Sequence, residues 1–371
     1  MLTSVQAAEG SASSIMRRAR FALKPEPTPV LLRAGIAVLV DIVVVFVAVR
    51  AALLWAGHPA EGLTHAVLPA VFGGILGFLG SLGGTLRTGL IRALVLSAAA
   101  LPLTLVAIAV RDAPFVSGIT MAAIAAGAGA LAWFGEPWAT LGSLLLYLYF
   151  LPLVFGAGTG VPVGYLALGF GVMVFCSVVL RALVALVPKH REPARVAATD
   201  ERVHEHRLVS VTQPQLSRLR RTTARSAIGL GLGAAVMSWT GNHNAVWVLM
   251  TLIALVPPAM PLTIDRVLQR LVGTVLAMVV LTVVDALVPP GPLRLLALAP
   301  AIVVTVAYLR RSYALSVLGI STVAVLAYAQ VAAPLGEALL YRGLDTAIGA
   351  VIAIGLTLLI PVGRRPAPVW D

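Results

Sequence analysis

The sequence predicts an all-α integral membrane protein with about twelve transmembrane helices in two parallel six-helix repeats, both termini cytoplasmic. Composition indicates the class, because 59% of the 371 residues are hydrophobic and only 11% are charged, whereas soluble domains carry about a quarter charged residues. The apolar runs are continuous rather than alternating, which favours helices over a membrane β-barrel.

The net charge of +12 does not indicate nucleic-acid binding, because the basic residues lie mainly beside apolar runs, as the positive-inside rule predicts.

The predicted spans divide the chain into two membrane halves, residues 31–187 and residues 226–363. Between the halves lies a basic cytoplasmic linker, 188–225, and residues 1–30 and 364–371 form cytoplasmic tails. The linker's "QPQLSRLRRTTARSA" is either a solvated segment or an amphipathic helix on the membrane surface. The spans are predicted at 31–56, 63–83, 93–110, 115–134, 138–156, 163–187, 226–240, 245–259, 271–288, 294–309, 313–332 and 343–362.

Arginines in the loops set the predicted orientation. Arg87 and Arg92 in the first half, and Arg266 and Arg270 in the second, fall on the same side as the linker and both tails. Most opposite loops, such as "GAGTGVP" and "TGNHN", contain no basic charge. We therefore predict a multi-pass protein of the bacterial cytoplasmic (inner) membrane, with this arginine-rich side in the cytoplasm.

Each half contains an interrupted second span. Glycines interrupt "LPAVFGGILGFLGSLGG" in the first half, and Pro257, Pro258 and Pro261 interrupt "MTLIALVPPAMP" in the second. Proline cannot continue a helix and frees backbone carbonyls, which are tolerated at membrane depth only beside protein or water. Matching interrupted segments in two halves of a transporter indicate a binding site.

An arginine pair follows the proline break. Asp265 and Arg266 are predicted to begin a helix, because an aspartate is favourable near the positive end of a helix dipole. Arg266 and Arg270 share one helical face, and two like charges there cost energy unless water, lipid phosphate or an anion meets them. Two interpretations stay open: a cytoplasmic loop that obeys the positive-inside rule, and an anion path or gate shared with Arg87 and Arg92.

Ionisable residues also lie within predicted spans. Arg342 and Asp345 are three apart at the mouth of the last span, so they can pair on one face, as a structural pair or as a functional site. Asp41 lies about 12 Å past Arg33 along the first span. A carboxylate at that depth either carries a proton for coupling or has a structural partner.

An aromatic residue and the absence of enzyme motifs indicate a binding site rather than a catalytic site. Trp247 follows the polar "GNHN" loop, where it either stacks on an aromatic ligand or belongs to an interfacial belt. No P-loop, H-E-x-x-H or G-x-S-x-G motif is present, so we predict no catalytic residue, no metal site and no cofactor. The single cysteine excludes an internal disulfide.

Two second-half segments carry a family resemblance. The segment "AVWVLMTLIALVPPAMPLTIDRVLQRLVGTVLAMVV" resembles the signature of the fusaric-acid-resistance-like (FUSC) family, and "RGLDTAIGAVIAIGLTLLIP" resembles the family's closing motif. The first half follows the looser family pattern over about residues 30–188. The matching positions are Trp247, Val248, Thr251, Pro257, Arg266, Arg270, Gly273 and Thr274, then Arg342, Asp345, Thr346 and Gly349.

The resemblance implies a function. The FUSC family is similar to aromatic carboxylic acid exporters and, more distantly, to plant aluminium-activated malate transporters, which implies proton-driven export of organic anions. Two departures from the family pattern bear on the substrate and on the need for partner subunits. Many relatives carry a large cytoplasmic domain where this chain has only 188–225, and Val246 stands where an aromatic residue is common.

The alternatives are a major-facilitator-like carrier, an anion channel, and a non-transporting scaffold or assembly partner of an envelope enzyme. The predicted partners are membrane lipid and a small organic anion, with a homo-oligomer or an accessory subunit left open.

Overall fold

The structure is a computed structural model. It describes residues 86–134, 136–155, 213–240, 246–256, 264–289, 292–308, 312–329 and 334–361, with short stretches between 32 and 77 and between 171 and 179. Every regular element in these residues is helical, which confirms the predicted all-α class. The α-helices are α1 (Leu86–Val110), α2 (Pro114–Leu131), α3 (Glu136–Phe155), α4 (Gln213–Thr240), α5 (Val246–Leu255), α6 (Ile264–Leu287), α7 (Leu298–Ala307), α8 (Tyr313–Ala329) and α9 (Leu335–Leu359).

Two short 3-10 helices complete the described elements. One, Ala132–Phe134, continues directly from α2, and the other, Pro292–Ala297, leads into α7. Pro114 occupies the first turn of α2, where its missing N–H costs nothing. Asp265 lies in the first turn of α6, where its charge is favourable to the helix dipole, as the sequence predicted.

Four helical stretches within the described residues are long and apolar enough to cross a membrane. They are Gly89–Val110, Pro114–Phe134, Ile264–Leu287 and Leu335–Leu359, and each overlaps a predicted span. Shorter apolar helices occupy the positions of other predicted spans, among them Trp138–Leu153 and Tyr313–Ala329. The total of twelve spans, the repeat and the location of the termini stay predictions, because much of the first half lies outside the described residues.

Two helix boundaries differ from the sequence prediction. Residues 213–225, predicted as linker, belong to α4 together with the predicted span 226–240, because nothing after Pro214 breaks the helix. Helix α9 begins at Leu335 rather than at 343, since "LGEALLYR" is rich in helix formers and Glu337 suits the first turn. Arg342 and Asp345 therefore lie about two turns inside the helix and not at its mouth.

The chain divides into two compact units. Unit 1 contains residues 1–39 and 263–347, and unit 2 contains residues 40–262 and 348–371. In unit 1, α8 packs against both α6 and α7, and most of its residues are buried. The close approach of α8 to both neighbouring helices depends on glycine. A Cβ at Gly273 of α6 would collide with the Ala314 carbonyl and Val317 of α8. A Cβ at Gly319 of α8 would collide with Thr305 of α7.

Unit 2 is built around the antiparallel pair α2 and α4, which also packs by close backbone approach. Gly118 lies against Gly231 and Ala235, whereas Gly129, near the other end of α2, lies against Thr223. This register fixes the two helices as antiparallel neighbours. Beside them, α5 is short and almost entirely buried, and its length of about 15 Å is half of what a bilayer core requires.

The end of α5 agrees with the predicted helix break. The helix ends at Leu255 and the next begins at Ile264, and Pro257, Pro258 and Pro261 lie between them, outside the described residues. The Val256 carbonyl accepts a hydrogen bond from Ser226 Oγ of α4 at 2.5 Å. A side chain of the neighbouring helix thus satisfies a buried carbonyl beyond the last turn of α5.

Candidate anion-binding site

A line of polar residues runs along one face of α6 in unit 1. Arg266, Arg270 and Thr274 follow one another at four-residue spacing, so they share a face over about 12 Å of helix. Arg266 is half-buried, and its guanidinium lies 5.0 Å from the centroid of the Tyr313 ring at the start of α8. Arg270 and Thr274 are only 3% and 2% exposed. The face therefore enters the core of the unit within one turn.

Helix α9 brings a second arginine to the interior of unit 1. Arg342 has no exposed surface, and its Nη2 donates to Ser321 Oγ of α8 at 3.1 Å. One turn later, Thr346 Oγ1 donates to the Arg342 carbonyl at 2.6 Å. Asp345 is 8% exposed. The pair of residues that the sequence placed on one face of the last span is therefore buried in the unit.

The two arginines belong to one electrostatic cluster. Arg342 interacts electrostatically with Arg270, Tyr313 and Asp345. Arg270 and Arg342 supply two positive charges and Asp345 supplies one negative charge, so these three residues carry a net positive charge within the unit. A charged side chain at the centre of a membrane helix costs about 3 kcal/mol on insertion scales, and such residues usually mark a pathway or a structural pair.

Several polar atoms in the cluster are buried without a hydrogen-bond partner among the described residues. Among them are Arg270 Nε and Nη2, Thr274 Oγ1, Tyr313 OH and Asp345 Oδ2. Leaving a buried donor unsatisfied costs about 1–3 kcal/mol, and more for a charged group. Arg270 thus presents two charged N–H groups that a carboxylate or another oxyanion can satisfy together.

Other residues predicted for the site belong to unit 2. Arg92, on α1, and Trp247, on α5, are buried there, at 4% and 2% exposure. Trp247 is therefore enclosed by protein rather than exposed on a lipid-facing surface, because α5 is almost entirely buried. Arg87 lies on α1, and its side chain is outside what the structure describes, as is all of Asp41. Asp265, in contrast, lies in unit 1 at the start of α6 and is half-buried.

Sequence reasoning missed the contribution of α8 to the cluster. Ser321 and Tyr313 lie in an apolar run with no charge, so they carried no obvious signal. One signal was present: α8 contains several hydroxyl residues, and Ser316, Ser321 and Thr322 are all buried. Asp285 and Arg294, in contrast, form an ion pair of 2.7 Å at the far end of α6, partly exposed. Asp285 is therefore a helix-end residue with a local ion-pair partner.

Comparison with known proteins bears on this cluster directly. Residues 230–356 match the family model described as fusaric acid resistance protein-like. The resemblance to the FUSC family is confirmed. The FUSC match covers the end of α4, all of α5 to α8 and most of α9, so it contains Arg270, Ser321, Arg342 and Asp345. A FUSC match in an all-helical chain with several apolar helices of spanning length indicates a multi-pass membrane protein.

A second comparison gives a relative. The uncharacterized protein slr1298 of Synechocystis sp. (strain ATCC 27184 / PCC 6803 / Kazusa) is 33% identical to this chain over 141 residues. The aligned part is 38% of this chain and 19% of that protein, so the chain spans about a fifth of the length of the relative it matches. No solved structure matches the chain.

Proposed function

We propose that the protein is a membrane transporter that exports organic anions, and that the cluster formed by α6, α8 and α9 of unit 1 binds the anion. The observation that carries this proposal is Arg270. Its side chain is 3% exposed, and its Nε and Nη2 have no hydrogen-bond partner among the described residues. A buried guanidinium with two unused donors, close enough to interact with Arg342, is better explained by an anionic ligand than by packing.

The arrangement favours a carboxylate as the anion. Guanidinium groups bind carboxylates through two parallel N–H···O bonds, and this binding is strong where water is excluded. Thr274 Oγ1, one turn further along α6, has no partner within the described residues and adds a neutral donor. Arg266 is one turn nearer the start of the helix, on the side predicted as cytoplasmic, where it can attract an anion into the path.

An aromatic carboxylic acid is the proposed substrate class, on the strength of the FUSC resemblance. The ring of Tyr313, already in contact with Arg266, is the aromatic surface of the cluster that such a substrate would meet. We assign proton coupling to Asp345, since a carboxylate that accepts a proton beside Arg270 and Arg342 changes the net charge that the anion experiences. Asp41 remains the second candidate for this role.

The decisive experiment is transport by purified protein in proteoliposomes loaded with aromatic carboxylates. Replacing Arg270 with Gln removes the unused charged donors, and losing one charge-assisted hydrogen bond of about 1.5–3 kcal/mol weakens binding about 10- to 100-fold. Arg270→Lys keeps the charge but not the bidentate geometry, so we expect partial activity. Arg111→Gln is the matched control, since Arg111 pairs with Asp112 on the surface of unit 2. Unchanged transport by correctly inserted R270Q would refute the anion site.

A channel and a scaffold give different results in the same system. A channel produces current in a planar bilayer that follows the voltage and is not limited by turnover, whereas a carrier saturates at low rates. A scaffold transports none of the acids tested, whichever residue stands at 270. We favour the carrier, because a deep binding group with unused donors holds its ligand during turnover, whereas a conducting pore requires weak sites that release ions quickly.

A further inference from the structure

Helix α4 carries a stripe of exposed apolar side chains. Ile228, Leu232 and Val236 are 46%, 61% and 50% exposed and follow one another at four-residue spacing, and Trp239 is 79% exposed at the end of the stripe. In a membrane protein, such a stripe faces lipid. At its other end, Arg220 and Arg221 are exposed as well. One side of α4 therefore changes from charged to apolar to aromatic along its length.

The length of the stripe matches a bilayer. Residues 220 and 239 are separated by about 28 Å at helical rise, and the hydrocarbon core of a bilayer is about 30 Å thick. Tryptophan and arginine are the residues that anchor the two ends of a span at the membrane interfaces. In the predicted topology, in which the second part of α4 crosses the bilayer, this spacing puts Trp239 near one interface and the arginine pair near the other.

The two ends of the neighbouring helix α2 lie beside the two ends of the apolar stripe on α4. Its register against α4 is antiparallel, so Phe115 at its start, 78% exposed, lies toward the Trp239 end. At the other end of α2, the Arg220 guanidinium lies over the ring of Trp133, 5.9 Å from the ring centroid. Trp133 and Phe134 are themselves 40% and 59% exposed. An exposed aromatic pair and exposed arginines thus meet at one interface.

The two arginines are held by different contacts. Trp133 fixes Arg220 through its ring face, which leaves the guanidinium N–H edge available. Arg221 Nη1 donates to the Pro361 carbonyl at 3.2 Å, beyond the end of α9, and the rest of its guanidinium is exposed. A cation–π contact and one carbonyl do not neutralise either charge, so an anion is the complementary partner.

We propose that Arg220, Arg221 and Trp133 bind the phosphate of an anionic phospholipid, in the leaflet predicted to be cytoplasmic. Phospholipid is chosen over a soluble anion because the arginines continue into the apolar stripe, so a single lipid can place its phosphate on the guanidinium groups and its acyl chain along Ile228 and Leu232. The indole of Trp133 lies at the depth of the headgroup. The site is distinct from the cluster of unit 1, and lipid binding is measured without transport.

The test is native mass spectrometry of the full chain in a neutral detergent, with phosphatidylglycerol or phosphatidylcholine added. We expect preferential retention of phosphatidylglycerol. The double variant Arg220→Gln, Arg221→Gln should weaken this retention about fivefold for each arginine, since each basic residue near an anionic surface contributes on the order of 1 kcal/mol. Arg220→Lys should retain most of the preference. Arg111→Gln, at the opposite end of the same helix pair, should bind lipid like the wild type.

Four outcomes would overturn the proposal. One is equal retention of the two lipids by the wild type, and another is full retention of phosphatidylglycerol by the folded double variant. The third concerns a second copy of the chain. In a Cys176→Ser background, Ile228→Cys and Leu232→Cys would form disulfides between copies if the stripe were a subunit interface. The fourth is displacement of the lipid by soluble glycerol phosphate at the same concentration, which would show a site for free phosphate rather than for a lipid.

Discussion

Arg342 Nη2 donates to Ser321 Oγ at 3.1 Å, and neither side chain has exposed surface. The hydroxyl gives the buried guanidinium a fixed direction relative to α8. Arg270, in contrast, keeps Nε and Nη2 without hydrogen-bond partners among the described residues. The contrast suggests a division of roles, in which Arg342 is oriented by protein and Arg270 is available to a ligand.

Removing the hydroxyl of Ser321 should loosen Arg342. Ser321→Ala takes away an acceptor for a charged donor, so we expect the free energy of unfolding to fall by about 1.5–3 kcal/mol and anion affinity to fall with it. The measurements are thermal unfolding in detergent and the KM for transport. Ser316→Ala is the control, because Ser316 Oγ donates to the Thr305 carbonyl at 3.0 Å within the same unit. That variant should lose stability and keep its KM; a shift of KM in both variants would argue against a specific role for Ser321.

Gly273 should resist even the smallest side chain. A Cβ there would collide with the Ala314 carbonyl and Val317, so Gly273→Ala forces α6 and α8 apart and should destabilise the protein by about 1–3 kcal/mol. Gly336→Ala is the control in the same unit, because nothing lies within 4 Å of its Cβ position and alanine is the better helix former. Thermal unfolding of the two variants measures the difference in their stability. Equal stability would show that the close approach of α6 and α8 is not needed.

Ser226 should stabilise the end of α5. Ser226→Ala leaves the buried Val256 carbonyl without its side-chain donor, which costs about 1–3 kcal/mol. Ser143→Ala is the matched control, since Ser143 Oγ donates to the Ala139 carbonyl of its own helix at 3.0 Å, and that carbonyl keeps its backbone donor. Hydrogen exchange of α5 amides gives the most direct measurement: faster exchange is expected in S226A and not in S143A. Similar exchange in both would mean that α5 is held by packing alone.

Asp345→Asn tests the coupling role. The amide is isosteric with the carboxylate but does not titrate between pH 5 and 8, so anion efflux should no longer respond to an imposed pH gradient, while binding of the anion is retained or strengthened. Efflux from proteoliposomes with and without the gradient measures this. Asp285→Asn is the control, because Asp285 is partly exposed in its ion pair with Arg294. If D345N still responded to the gradient as the wild type does, the coupling role would pass to Asp41.

Features that depend only on neighbouring residues along the chain were predicted correctly from the sequence. The start of α6 next to Asp265 follows from helix-dipole chemistry, and the shared face of Arg266 and Arg270 follows from helical spacing. The start of α9 was predicted too late, because hydropathy marks where the membrane core begins and not where the helix begins. Residues such as Glu337 and Tyr341 lower the apolar signal while they continue the helix.

Composition and periodicity by themselves determined that this chain is a helical membrane protein, and its motifs indicated the FUSC family, because both depend on residue type and spacing along the chain. Only the tertiary structure decided that Arg342 of α9 interacts with Arg270 of α6, that Ser321 orients it, and that Trp247 is enclosed by protein. Contacts between helices depend on which faces meet and in what register. In unit 1 that register is set by close backbone approach at glycines such as Gly273, which an apolar sequence pattern does not specify.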